Sequence, residues 1–98
     1  MRHSRTFHEE AAAEFDAAAA YYAVERASLS EAFISAVEGA VAQALRYPEA
    51  APLIRGRVRS LRVERFPYSV KYSVVDESIR VLAVAHDRRR PFYWEGRR

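Results

Sequence analysis

The sequence predicts an α+β domain of order β-αα-βββ, a helical hairpin packed on a small, mostly antiparallel sheet, and three observations carry that expectation. Ala11, Phe15, Ala18, Ala19 and Tyr22 recur at helical spacing, and Phe33, Val37, Val41 and Ala44 or Leu45 do the same one segment later. Tyr68, Val70, Tyr72 and Val74 alternate with Ser69, Lys71 and Ser73, the period of a strand with one apolar face. Ile79 to Ala85 is apolar on both faces apart from Arg80, as a central or well-covered strand would be.

Taken in order, Arg2 to Phe7 reads as a short first strand. Thr6 followed by Glu9 offers a capping box for the first helix, with His8 an alternative cap. That helix is expected from Glu10 to about Ala27, with Glu14, Asp16 and Glu25 facing away from the apolar stripe. Ser28 and Glu31 repeat the capping pattern for a second helix, which Tyr47-Pro48 stops because a residue before proline avoids the helical region. Pro48, Pro52 and Gly56 mark residues 48–57 as a loop. Three strands follow: Arg59 to Val63, Phe66 to Tyr72 and Ile79 to Ala85, with Asp76-Glu77-Ser78 as the turn between the last two.

Residues 1–98 are read as one domain, since a chain of this length supports a single core. Cysteine is absent, which excludes disulfides, thiolate metal sites and cysteine nucleophiles and suits a reducing cytoplasm. The uncharged run from Ala17 up to Glu25 is far short of a bilayer span, so no membrane partner is expected and the chain reads as soluble and intracellular. The net charge of +3 hides an asymmetry. Residues 1–50 carry four Arg against eight carboxylates, a net −4; residues 51–98 carry eleven Arg and Lys71 against five, a net +7. Clustered positive charge suits a nucleic acid or an acidic partner.

The residues that could carry chemistry gather near the end. His86 closes the last strand, in phase with Arg80, Leu82 and Val84, either as a hydrogen-bonded strand-end residue or as a general acid or base. Arg88, Arg89 and Arg90 lie between it and Tyr93-Trp94, so that guanidinium and aromatic planes alternate as in sites that stack single-stranded nucleic acid; a solvated charge run is the other reading. Arg59 and Arg65 share a strand face with Leu61 and Val63, whereas Arg62 is on the other, so the three serve one site only if the strand twists or bulges. Glu9, Glu10, Glu14 and Asp16 read as surface carboxylates of an early helical turn. No metal or cofactor is expected: His3 and His8 lack ligand spacing, and Gly39, Gly56 and Gly96 are too scattered for a phosphate loop.

The run Phe66-Pro67-Tyr68-x-Val70-x-Tyr72, followed by Val81-Leu82-Ala83-Val84-x-His86-x-x-Arg89-x-Pro91-x-Tyr93-Trp94, resembles the RelE/ParE superfamily of bacterial toxins, in particular its plasmid-stabilisation members. The helical hairpin with Phe15, Tyr21-Tyr22 and Phe33 fits the same pattern. The resemblance implies a growth-arresting toxin that forms a hetero-oligomer with a cognate antitoxin. It also implies one of two targets. RelE-like members are ribosome-dependent mRNA endoribonucleases, for which Arg62, His86, Arg89 and Tyr93 are the catalytic candidates here; ParE-like members inhibit DNA gyrase and need no catalytic set. Ser69 stands where ribonuclease members often carry Arg, and a hydroxyl cannot stabilise a developing phosphorane charge as a guanidinium does, which favours the ParE-like reading. Arg59, Arg62, Arg65, Arg88, Arg89, Tyr93 and Trp94 are then the expected target-binding residues, and a non-toxic basic binding module is the remaining alternative.

Overall fold

The computed structural model describes residues 4–98. Its elements are β1 (Arg5–Phe7), α1 (Glu9–Glu25), α2 (Ala27–Arg46), β2 (Leu53–Arg55), β3 (Val58–Arg62), β4 (Tyr68–Val75) and β5 (Ser78–His86). The sheet runs β1-β5-β4-β3-β2; β1 pairs parallel with β5 and the other pairs are antiparallel. The α+β arrangement of a helical pair on a mostly antiparallel sheet is therefore as expected, with one addition. The 48–57 segment is not all loop: Leu53–Arg55 pairs with β3 as a short edge strand. Gly56, at φ +55, makes the tight turn between them. Arg2 and His3 lie outside the described residues.

At the helix starts the alternative cap His8 is the one that forms, and neither capping box does. Thr6 is held inside β1, so His8 caps α1, its Nδ1 accepting from the Glu10 N–H at 3.0 Å. The helices are joined by Arg26 alone, which ends α1 by donating its N–H to the Tyr22 carbonyl at 3.1 Å and begins α2 in extended backbone without a side-chain cap. Ser28 thus lies two residues too late to cap. Ser30 instead donates its hydroxyl to the Ala19 carbonyl at 2.8 Å, tying the two helices together.

The apolar stripes pack as their periodicity requires. Ala11 and Ala18 from α1 and Phe33, Val37, Val41 and Ala44 from α2 are buried against Val70, Tyr72, Ile79, Val81 and Val84 of the sheet. Phe33 is the hub, with ring centroids 6.0 Å from Phe15, 5.1 Å from Tyr22, 5.2 Å from Phe66 and 5.0 Å from Tyr68. The edge-to-face pairs among these, with Phe15, Phe66 and Tyr68, add about 0.5–1.5 kcal/mol each beyond area burial. A second, smaller core forms on the opposite face of the sheet, where Trp94 is buried on Ala83 and Ala85 with Ile54, Val58, Phe92 and Tyr93 around it. The C-terminal segment is thus a third layer.

A register shift in the β4–β5 pair decides which side chains reach which layer. Lys71 faces Ala83 and Tyr72 faces Val81, which leaves Leu82 as the extra residue of a β-bulge. The bulge reverses the alternation: Ile79 and Val81 point to the helices, and so do Val84 and, opposite Tyr68, His86. His86 and Arg80, which strict alternation places together, therefore lie on opposite faces. Arg80 reaches across to the Phe7 and Arg98 carbonyls.

Candidate functional site

Beyond β5 the chain turns back across the sheet, and local contacts hold several side chains of this segment. His86 Nδ1 accepts the Arg88 N–H at 3.0 Å, which in the neutral ring places the proton on Nε2, and its ring packs edge-on against Tyr68 with centroids 5.0 Å apart. The Asp87 N–H donates to the Pro67 carbonyl at 2.8 Å, and the Asp87 carboxylate accepts from Arg62 at 3.3 Å. The Arg89 guanidinium lies 3.8 Å from the centroid of the Tyr93 ring. Phe92, with its backbone at φ +59, is covered by Arg55 at 3.7 Å, and Arg55 is held in turn by Glu95 at 3.1 Å.

The free edge of β5 is closed by side chains. β1 pairs only with Ile79 to Val81, so the backbone beyond is without a strand partner on that side. Glu14 accepts the Val84 N–H at 3.0 Å and Arg97 donates to the Leu82 carbonyl at 3.0 Å, while the two side chains pair with each other at 3.0 Å. Glu14 is therefore not the outward-facing carboxylate that helical phase suggests. It and Arg97 act as a strand in miniature and join α1, β5 and the C-terminal segment. The Tyr93 hydroxyl is buried beside them without a full hydrogen bond. Burial foremost, then the charge of Glu14, pushes its pKa far above the usual tyrosine value, with Arg89 and Arg97 opposing.

These facts sort the expected site residues. Trp94 is buried, only 3 % exposed, and is an anchor rather than a surface. Tyr93 has one ring face under Arg89 and its hydroxyl buried, so neither is free to meet a ligand in this arrangement. Arg59 donates to the Glu49 and Ala51 carbonyls at 2.9 and 2.7 Å and holds the loop after α2. Arg65 sits in the β3–β4 turn at φ +73, facing a groove along α2 with Ala36, Gly39, Ala40 and Phe66. Arg62, Arg88, Arg89 and Arg90 are exposed. The three arginines of the first C-terminal strand region thus do not converge, because β3 ends at Arg62 and the chain turns before Arg65.

One residue missed by the motif reading is Lys71, the only lysine among sixteen basic residues. It lies on the sheet face opposite the helices, opposite Ala83, and donates to Ser60 Oγ at 2.9 Å. Burial lowers its pKa; Asp87 opposes this and Arg62 adds to it. With His86, Asp87, Arg89, Arg90, Phe92 and Trp94 it lines a cavity of about 330 Å³ between the sheet and the C-terminal segment. Its place in a strict polar/apolar alternation, as the one charged side chain of β4, was the available signal. Among the described residues no three His, Asp or Glu side chains are placed to hold a metal ion, and no helix is long and apolar enough to cross a membrane.

Residues 6–91, from β1 through the turn after β5, match the family described as ParE toxin of type II toxin-antitoxin system, parDE. The chain belongs to the ParE toxin family. It is also similar to a solved structure of the chromosomal ParDE TA system from P. aeruginosa, with 27 % identity over 85 % of this chain and 94 % of that one and a TM-score of 0.62. No curated protein matches the chain significantly. The ParE match ends at Pro91, so Phe92, Tyr93, Trp94 and Arg97, which hold the third layer together, lie beyond it.

Proposed function

We propose that this ParE-family chain arrests growth by inhibiting DNA gyrase and that a cognate antitoxin neutralises it by direct binding. One observation carries the choice of target. The acid–base candidates of a ribonuclease do not assemble: the Tyr93 hydroxyl is buried with a raised pKa, and His86 uses Nδ1 to hold the Arg88 N–H. Ser69 brings no charge to the middle strand. A toxin that acts by binding gyrase needs exposed contacts and no proton-transfer pair, and the exposed Arg62, Arg88 and Arg89 suit such contacts.

The antitoxin is expected to dock as an acidic amphipathic segment along the helical pair and the adjacent sheet edge. Exposed apolar side chains on the helices, Tyr21, Val24 and Ile34, and the net +7 of residues 51–98 support that chemistry. Its affinity should fall with added salt.

A second reading, ribosome-dependent mRNA cleavage, is favoured by the cations Arg62 and Lys71 on the sheet face opposite the helices, which together make up for part of the charge missing at Ser69. Induced expression distinguishes the readings. Gyrase inhibition should produce the DNA-damage response and filamentation before protein synthesis falls, and the purified chain should block supercoiling by gyrase. Immediate translation arrest with codon-positioned mRNA cuts would establish the second reading instead. Full growth at high soluble expression without antitoxin would leave a non-toxic binding module.

A further inference from the structure

The cavity under the C-terminal segment has two unlike walls. Ile54, Ala85, Phe92 and Trp94 make one apolar; Lys71, Arg89 and Arg90 make the other cationic, against the single carboxylate of Asp87, which is already paired with Arg62. Its volume of about 330 Å³ is at the small end of the range for small-molecule sites and suits one nucleotide unit.

The walls are held in place before any ligand enters. Arg89 is kept flat by the Tyr93 ring, which leaves the N–H donors at its edge available. Phe92 is fixed by Arg55, itself tied to Glu95, on a backbone conformation that non-glycine residues rarely adopt. Lys71 commits one of its three donors to Ser60. A partly desolvated ammonium with donors to spare is a group whose burial an anion would offset.

We infer that this cavity binds a mononucleotide, its phosphate held by Lys71, Arg89 and Arg90 and its base set against Phe92, above the buried Trp94. Guanidinium and ammonium groups recognise the phosphate, and the half-buried Phe92 ring accepts any base by its π-face. An inorganic anion would leave the apolar wall unused. The binding does not depend on which macromolecule the toxin arrests.

Trp94 is the only tryptophan and lines the cavity, so its fluorescence reports occupancy. Titration of the full chain with adenosine or guanosine monophosphate should quench it saturably, with inorganic phosphate and adenosine each at least about tenfold weaker. Lys71→Met keeps most of the side-chain length and removes the charge; it should weaken the nucleotide at least about tenfold without lowering the melting temperature. Arg90→Gln, at an exposed position, repeats the test with a smaller loss should Lys71→Met fail to fold. No saturable quenching by either nucleotide at about 1 mM would overturn the inference. So would equal affinity for phosphate alone, or undiminished nucleotide binding in the variants. A single-stranded oligonucleotide bound through Lys71 far more tightly than the mononucleotide would assign the site to a nucleic-acid backbone and overturn it as well.

Discussion

Replacing Glu14 tests the closure of the β5 edge, the feature that helical periodicity hides. Its side chain is 16 % exposed and that of its partner Arg97 is 11 % exposed, so the pair is screened far less than a surface pair. Glu14→Ala removes the acceptor of the Val84 N–H, which costs about 1–3 kcal/mol when the amide stays unpaired. It also strands the Arg97 charge. Breaking a fully buried pair costs about 3–5 kcal/mol, but Arg97 keeps Glu10 at 3.3 Å and the Leu82 carbonyl, so only part of that is lost. The combined loss should be about 3 kcal/mol. For a domain of this size that is a fall in melting temperature of roughly 12 °C or more. Glu14→Gln keeps an acceptor for Val84 and loses only the charge, so it should cost about half as much. Urea unfolding at neutral pH gives both values, and amide exchange at Val84 should quicken in the alanine variant alone. An alanine variant within about 0.5 kcal/mol of the parent would refute the edge-closing role, and equal losses in both variants would show that charge, not the strand-like bond, is what matters.

Other outcomes follow from the same contacts. Tyr93→Phe removes a buried hydroxyl that has no full hydrogen bond, so it should leave stability unchanged or raise it by up to about 1 kcal/mol, as a urea midpoint shows. Tyr22, Tyr68, Tyr72 and Tyr93 all have raised pKa values, burial being the first cause in each. Their stabilisation is complete below the unfolded value of about 10 and is lost as pH rises through the folded values; unfolding midpoints should therefore fall above about pH 10, less steeply in Tyr93→Phe. Lys71 has the opposite sign: its pKa is lowered, so Lys71→Met should stabilise near neutrality, and that gain should shrink as pH rises from the folded value toward 10.5. Trp94→Ala should cost about 3–5 kcal/mol by calorimetry or urea unfolding, since the whole second core packs on that ring.

The two helices, the alternating β4 and the doubly covered β5 were legible along the chain because burial imposes periods of 3.6 and 2 that are local in sequence. Phe15, Tyr22, Phe33, Val70 and Tyr72 could therefore be assigned to the core, and the spacing from Phe66 to Trp94 sufficed for a family resemblance. The misplaced or missed residues share another cause. Glu14 faces the edge of β5 because β1 is only three residues long, and His86 lies opposite Arg80 because a bulge at Leu82 resets the alternation. Lys71 became a cavity residue because the chain after His86 folds back over it, and Tyr93 lost its expected freedom because Arg89 and the Glu14–Arg97 pair close around it. Each depends on where a strand stops, slips register or is covered by residues distant along the chain. Those outcomes follow from the pairing and packing of whole elements, to which a local hydrophobic pattern is blind.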